Sequence, residues 1–94
     1  MNQIEEYRPV AHEYFADKDF SISNLGNLRN NKTGTIRATC QKGRVQFDRS
    51  NFFSVGRLVA LTFLAEPDVD YTNRRVKHLD KNPKNNRVEN LQWI

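Results

Sequence analysis

One cysteine, three prolines and four glycines are scattered through 94 residues, and no apolar run is long. Cys40, being alone, closes no intramolecular disulfide and builds no four-cysteine zinc knuckle. It reads as a small core residue. The longest apolar stretch, Leu58 to Leu64, is interrupted by Thr62 and falls far short of the roughly 20 residues a membrane helix needs. A membrane-spanning helix is therefore excluded, and no membrane partner is expected. The opening MNQIEEYRPV carries acids where a secretory leader carries bases, and no apolar stretch follows it. The expectation is a cytoplasmic chain. His12, His78 and Cys40 stand at spacings that match no common zinc pattern, and His12 is expected to be exposed or to cap a turn. Internal repeats and low-complexity tracts are also missing.

What is present is enough for one small domain, 1–94. Hydrophobic residues make up 37% of the chain and aromatics 11%, which fills one modest core and argues against a disordered tail. The net charge is +4, but its distribution says more than its total. Residues 1–20 hold five acids against Arg8 and Lys18, whereas residues 21–64 hold Arg29, Lys32, Arg37, Lys42, Arg44, Arg49 and Arg57 against Asp48 alone. A basic middle of this kind is the electrostatic footprint that a phosphate backbone favours.

Periodicity orders the elements. Phe20 and Ile22 alternate with polar neighbours, and Ser-Asn-Leu-Gly after them signals a turn. Leu28 resumes an extended stretch, Asn30 to Gly34 reads as a loop, and Ile36, Ala38 and Cys40 share one face at period two. Gln41-Lys42-Gly43 turns the chain before the alternating pair Val45 and Phe47. One small antiparallel sheet is expected. A helix follows, with Ser54 as N-cap and Val55, Leu58, Val59 and Thr62 at i, i+3, i+4 and i+7; Pro67 closes it. Tyr7, Tyr14, Phe15 and Phe20 are expected to pack beneath the sheet. The last segment, RRVKHLDKNPKNNRVENLQWI, sets Asn82, Asn85, Asn86 and Asn90 between apolar anchors. It reads as strand, polar loop and short helix, with Asn85 or Asn86 as cap and Val88 and Leu91 turned inward. Asparagines there satisfy backbone groups that the loop leaves unpaired.

Two stretches resemble one family. FSISNLGNLR, Phe20 to Arg29, is similar to the "Y-x-V-S-N-x-G-x-V-R" signature of the modular DNA-binding segment that precedes the nuclease in phage and intron HNH homing endonucleases. VGRLVALTF, Val55 to Phe63, with RRVKHLDKNPKNNRVENLQW, resembles their nuclease core, commonly "V-H-R-L-V-A-x-x-F" followed by "V-[DN]-H-x-D-G-N-x-x-N-N-x-x-x-N-L-x-W". The resemblance implies an α+β fold: a small antiparallel sheet, one central helix and a C-terminal ββα motif of the His-Me finger type. It divides the chain into a β-rich segment, 5–50, and an HNH-like core, 51–94.

In that family a histidine deprotonates water for attack on a phosphodiester while one divalent metal binds the scissile phosphate and the leaving oxygen. The resemblance puts His78 at the general-base position and gives Asp80, Asn85, Asn86, Asn90 and Trp93 the support of its loop and of the helix. It also exposes departures. Lys77 stands where a metal ligand precedes the histidine, Lys81 replaces the loop glycine, Gly56 replaces a histidine, and the second ligand falls beyond Trp93, where the sequence reaches only Ile94. A hard cation wants oxygen ligands, and an ammonium beside its site repels it. No metal site and no cofactor are therefore expected, Mg²⁺ or Mn²⁺ entering only with a nuclease reading.

Three functions follow as expectations. The first is a phage-type DNA-binding protein derived from an HNH homing endonuclease and without cleavage. It grips DNA, preferably double-stranded, through Arg29, Lys32, Arg37, Lys42, Arg44, Arg57, Lys77, Lys81, Lys84 and Arg87. The second is an active metal-dependent nicking endonuclease with His78 as base. The third is a small inhibitor whose partner is a host or rival protein.

Overall fold

The computed structural model describes residues 4–37, 43–46 and 52–94. Three antiparallel sheets and one α-helix make up the regular structure of these residues. β1 (Tyr7–Pro9), β2 (Phe20–Ser23) and β3 (Leu28–Asn30) form a sheet in that order, with Tyr7 opposite Ser23 and Ser21 opposite Arg29. β4 (Arg44–Gln46) pairs with β5 (Phe52–Ser54), and β6 (Val76–His78) with β7 (Leu91–Trp93). The α+β class with antiparallel strands and one helix is as expected. The single sheet is not: strands of three or four residues each find one or two partners, and separate sheets result.

The elements form for local reasons. Phe20 and Ile22 face inward, and Asn24 to Gly26 turn the chain into Leu28. β1 escapes a reading by periodicity because it is short and ends in Pro9, a residue that only an edge strand tolerates. Helix α1 (Val55–Phe63) begins at Ser54, whose hydroxyl accepts from the Arg57 amide at 3.4 Å; its Val55, Leu58, Val59 and Ala60 are buried. Ile36 makes one bridge to Arg29. Ala38, Cys40, Gln41, Lys42, Phe47 and Arg49 lie outside the described residues.

One apolar cluster draws on both halves of the chain. Val10, Phe15, Ile22 and Leu28 meet Val45, Val55, Leu58, Val59 and Leu91. Burying an aliphatic side chain of this size contributes roughly 1.5–3 kcal/mol, so these contacts carry much of what holds the two halves together. Tyr14, Phe15 and Phe20 pack against the core as expected, joined by Phe53: Phe53 lies 4.8 Å from Tyr14 and 5.1 Å from Phe15, and Phe20 lies 6.1 Å from Phe15. Tyr7 does not join them, because its place opposite Ser23 puts it on the other face of the sheet, over Arg29. His12 joins this group, 5.4 Å from Phe53, and its Nδ1 accepts from the Tyr14 amide at 3.1 Å, capping the short turn Glu13–Phe15.

A second seam is polar. The Val88 amide donates to the Asn24 carbonyl at 2.9 Å, so the β2–β3 turn touches the loop between β6 and β7. Gly26, at φ 89°, makes that approach close: a Cβ there would lie 2.9 Å from the Asn86 Cβ and 3.0 Å from its carbonyl oxygen. Gly34, at φ 74°, has open space around it. Gly26→Ala is therefore expected to cost about 2 kcal/mol or more, and Gly34→Ala about 1 kcal/mol, in urea denaturation. Equal losses would mean that backbone conformation alone, and not the contact with Asn86, sets the cost.

Candidate nucleic-acid interface and histidine site

His78 is the last residue of β6, opposite Leu91 of β7, and it is half-buried. Its Nε2 lies 2.8 Å from Oδ1 of Asn86, which is buried. An amide oxygen only accepts, so Nε2 carries the proton and Nδ1 is left as the basic nitrogen. The N-terminus of α1 comes in behind this pair at Gly56, where a Cβ would sit 2.9 Å from the Asn86 Oδ1 and 3.2 Å from the His78 Nε2. The position at which the family carries a histidine thus has no room for one here while this hydrogen bond holds. The resemblance implies an asparagine-supported histidine with Asn85 and Asn86 bracing the loop; of these two, Asn86 is the one that reaches His78.

The loop between the strands is held by side chains. Asp80 accepts from the Asn82 amide and from the Asn85 Nδ2, both at 2.8 Å, and from the Asn90 Nδ2 at 2.9 Å; Asn90 Oδ1 takes the Asp80 amide in return. Asn90 Nδ2 also reaches the Asn85 carbonyl at 2.9 Å. These hydrogen bonds, led by the one from Asn85, hold the Asp80 carboxyl below the ordinary carboxylate range. Lys81 adopts φ 64°, the left-handed conformation that explains why the family pattern has glycine at this point. The short helix expected here is a single 3-10 turn, Val88–Asn90, with Leu91 already in β7. Its N-cap position is held by Arg87, not by Asn85 or Asn86, and carries no side-chain cap; Asn85 instead bonds Asp80, and Asn86 lies against His78. Trp93 stacks on Tyr71 with ring centres 4.3 Å apart.

The basic candidates separate into kinds. Lys77, Lys81, Lys84 and Arg87 are exposed on the β6–β7 hairpin and its loop, and Lys32, Arg37 and Arg44 are exposed on the upstream strands and loops. The Arg37 guanidinium lies 6.0 Å from the Phe20 ring centre. Arg57 is engaged internally: Nη1 donates to the Arg74 carbonyl at 2.6 Å, and Nη2 to the carbonyls of Tyr71 at 2.7 Å and Thr72 at 3.4 Å. It clamps the segment that leads into β6. Lys42 lies outside the described residues. Lys77 pairs with Gln92, and in an extended strand it leaves from the face opposite to Val76 and His78. It is next to His78 in sequence without sharing its side of the hairpin.

A divalent cation does not fit the donors of the described residues. Both oxygens of Asp80 accept hydrogen bonds within the loop, and among the described residues no three His, Cys, Asp or Glu side chains converge. No helix among the described residues is long and apolar enough to cross a membrane.

No protein-family model matches the chain. It is 32% identical, over 96% of its length, to an uncharacterized HNH endonuclease of Acanthamoeba polyphaga mimivirus, and it spans 24% of that protein. Its fold matches that of the HNH homing endonuclease I-HmuI, described in a structure of DNA binding and cleavage, with a TM-score of 0.71 at 24% identity, over 95% of this chain and 52% of the other. The chain thus spans about a quarter and about half of the lengths of these two proteins.

Removing the amide acceptor leaves the His78 Nε2–H without its buried partner, at a cost of about 1–3 kcal/mol. Asn86→Ala should show that loss in denaturant melts, and nitrogen-15 shifts of the imidazole should move from one tautomer toward a mixture. For Asp80 the sign runs with the depressed value: the loop's carboxylate hydrogen bonds are complete above the unfolded pKa and are lost as pH falls through the lower folded one. A carbon-13 titration of the Asp80 carboxyl should give a midpoint below that of the urea-unfolded chain, and Asn85→Ala should raise it.

Proposed function

We propose, from the premise that this chain belongs with the HNH homing-endonuclease-like proteins, that it is a DNA-binding unit whose described residues hold a general base ready without supplying the metal ligands for cleavage. The observation that carries this reading is the hairpin 76–93 itself. It carries His78, fixed by Asn86, and four exposed cations, Lys77, Lys81, Lys84 and Arg87, of which Lys77 leaves from the face opposite to His78. Cations on a polyanion release its counterions, so affinity arises without base contacts and weakens steeply with salt. Lys32, Arg37 and Arg44 extend the same attraction upstream, and Lys42 belongs with them by charge. Arg57 does not: its donors are engaged with carbonyls, and it acts on binding through the fold.

His78 has the features of a base. Its tautomer is chosen by Asn86, and Nδ1 is left to accept a proton from a water molecule. In an HNH reaction the metal supplies charge stabilisation at the phosphate and the leaving oxygen. Among the described residues no cluster of carboxylate, imidazole or thiol ligands gathers to hold that ion. The reading is therefore of a segment that grips DNA and does not nick it unaided.

Two assays on the purified chain test this. In a gel shift with duplex DNA, binding should be clear at low salt and fall by about a hundredfold or more between 50 and 200 mM salt if five or so phosphates are contacted. Supercoiled plasmid with Mg²⁺ or Mn²⁺ should remain intact. Nicking that disappears in His78→Ala would overturn the non-cleaving part of the reading, and a salt-independent or absent shift would overturn DNA binding.

A further inference from the structure

The outer face of the N-terminal sheet holds one arginine in an unusually complete setting. Arg29, in the middle of β3, is opposite Ser21 and lies in the same layer as Tyr7 of β1. Its guanidinium carbon stands 3.8 Å from the centre of the Tyr7 ring, a cation–π stack that fixes the plane of the group. Its Nε donates to the Asn31 Oδ1 at 3.1 Å, which fixes rotation within that plane. Asn31 is itself held: its Nδ2 donates to the Ser21 hydroxyl at 2.9 Å and to the Asp19 carboxylate at 3.0 Å, and its amide donates to the Asp19 carbonyl at 2.9 Å. Among the described residues, the two terminal Nη groups make no hydrogen bond.

A surface arginine that only adds charge needs none of this. Long cationic side chains ordinarily keep their rotamer freedom, and fixing one costs conformational entropy. Here the stack and the Nε bond hold the group without a ligand, one edge is turned to the protein, and the fork of the two Nη groups is left over. A preset, planar, two-pronged donor suits a rigid pair of acceptors at matching separation. In duplex DNA that pair is the O6 and N7 of guanine. A phosphate also accepts two hydrogen bonds from such a fork, and the two ligands differ in their readout: a phosphate contact is lost equally on every sequence, a guanine contact at one base pair.

Resting on the DNA-binding reading above, we propose that Arg29 is a base-reading residue: stacked on Tyr7 and anchored by Asn31, it selects a guanine at one position of the bound duplex. The acidic Asp19 takes part by orienting Asn31. Binding strength then comes mainly from the exposed lysines and arginines, and discrimination at that base pair from the Tyr7–Arg29–Asn31 group.

The test is selection from a pool of randomised duplex DNA by the full chain, followed by affinities for the selected duplex and its single-position variants at several salt concentrations. The wild type should require guanine at one position, with a loss of about tenfold or more on replacing it. Arg29→Lys keeps the charge and loses the fork, so the salt slope should stay while that preference disappears. Tyr7→Leu and Asn31→Ala should weaken the same preference at the same position with the charge untouched, and circular dichroism checks that each variant is folded. A guanine preference unchanged in Arg29→Lys overturns the proposal. So does a uniform loss across all sequences, which identifies a phosphate contact. Wild-type binding without any base preference overturns this inference alone, whereas no wild-type binding at all removes the DNA-binding reading beneath it.

Discussion

The buried amide of Asn86 is the constraint on which the arrangement turns. Three glycines from three parts of the chain approach it: Gly26 in the β2–β3 turn, Gly43 before β4 and Gly56 at the start of α1. Each would place a Cβ within contact distance of an Asn86 atom. An asparagine in such a position is expensive unless its polar atoms are matched, and the imidazole of His78 is the match. The same hydrogen bond that makes the amide tolerable inside the domain chooses which imidazole nitrogen faces outward. Structure and chemistry are therefore not separable at this residue: loosening the packing around Asn86 frees the tautomer of His78.

Around this point the chain economises on apolar burial. A domain of this size has a small core, and much of its remaining order is set by short polar links. Asp80, Asn85 and Asn90 replace backbone pairing in the β6–β7 loop with a closed set of side-chain bonds. Asn24 does similar work upstream, its Oδ1 accepting from the Glu6 amide at 2.7 Å and its Nδ2 donating to the Ile4 carbonyl at 3.0 Å. Glu5 caps this region by accepting from the Ser23 hydroxyl and the Asn27 amide group. Such bonds contribute about 1 kcal/mol each net of water. Their larger effect is directional, since each fixes the path of a turn that apolar contacts leave free.

Much of this was legible in the sequence, and the misses have physical causes. The period of Val55, Leu58 and Val59 identifies α1 and its buried stripe, and the pattern around His78 carries the resemblance to HNH homing endonucleases. Periodicity does not tell two neighbouring asparagines apart: Asn85 and Asn86 look alike in sequence, yet one closes the loop on Asp80 and the other reaches across to His78. Adjacency was misleading for Lys77. Read as a residue beside His78, it suggests an amine next to the imidazole, whereas the pleat of β6 sends the two side chains to opposite faces. Arg57 reads as one more surface charge because nothing local marks the three distant carbonyls that it joins.

Charge segregation along the chain has a different meaning in three dimensions. The acidic first twenty residues and the basic middle read as two separate surfaces, but the fold interleaves them. Asp19 holds the asparagine that holds Arg29, and Glu5 is bonded into the β2–β3 turn. Placed this way, Asp19 imposes geometry on the cation it serves. A net charge of +4 would be achieved as well by fewer bases and no acids. What the acids add at Asn31 is orientation, and orientation is what separates a side chain that merely attracts a ligand from one that chooses among ligands.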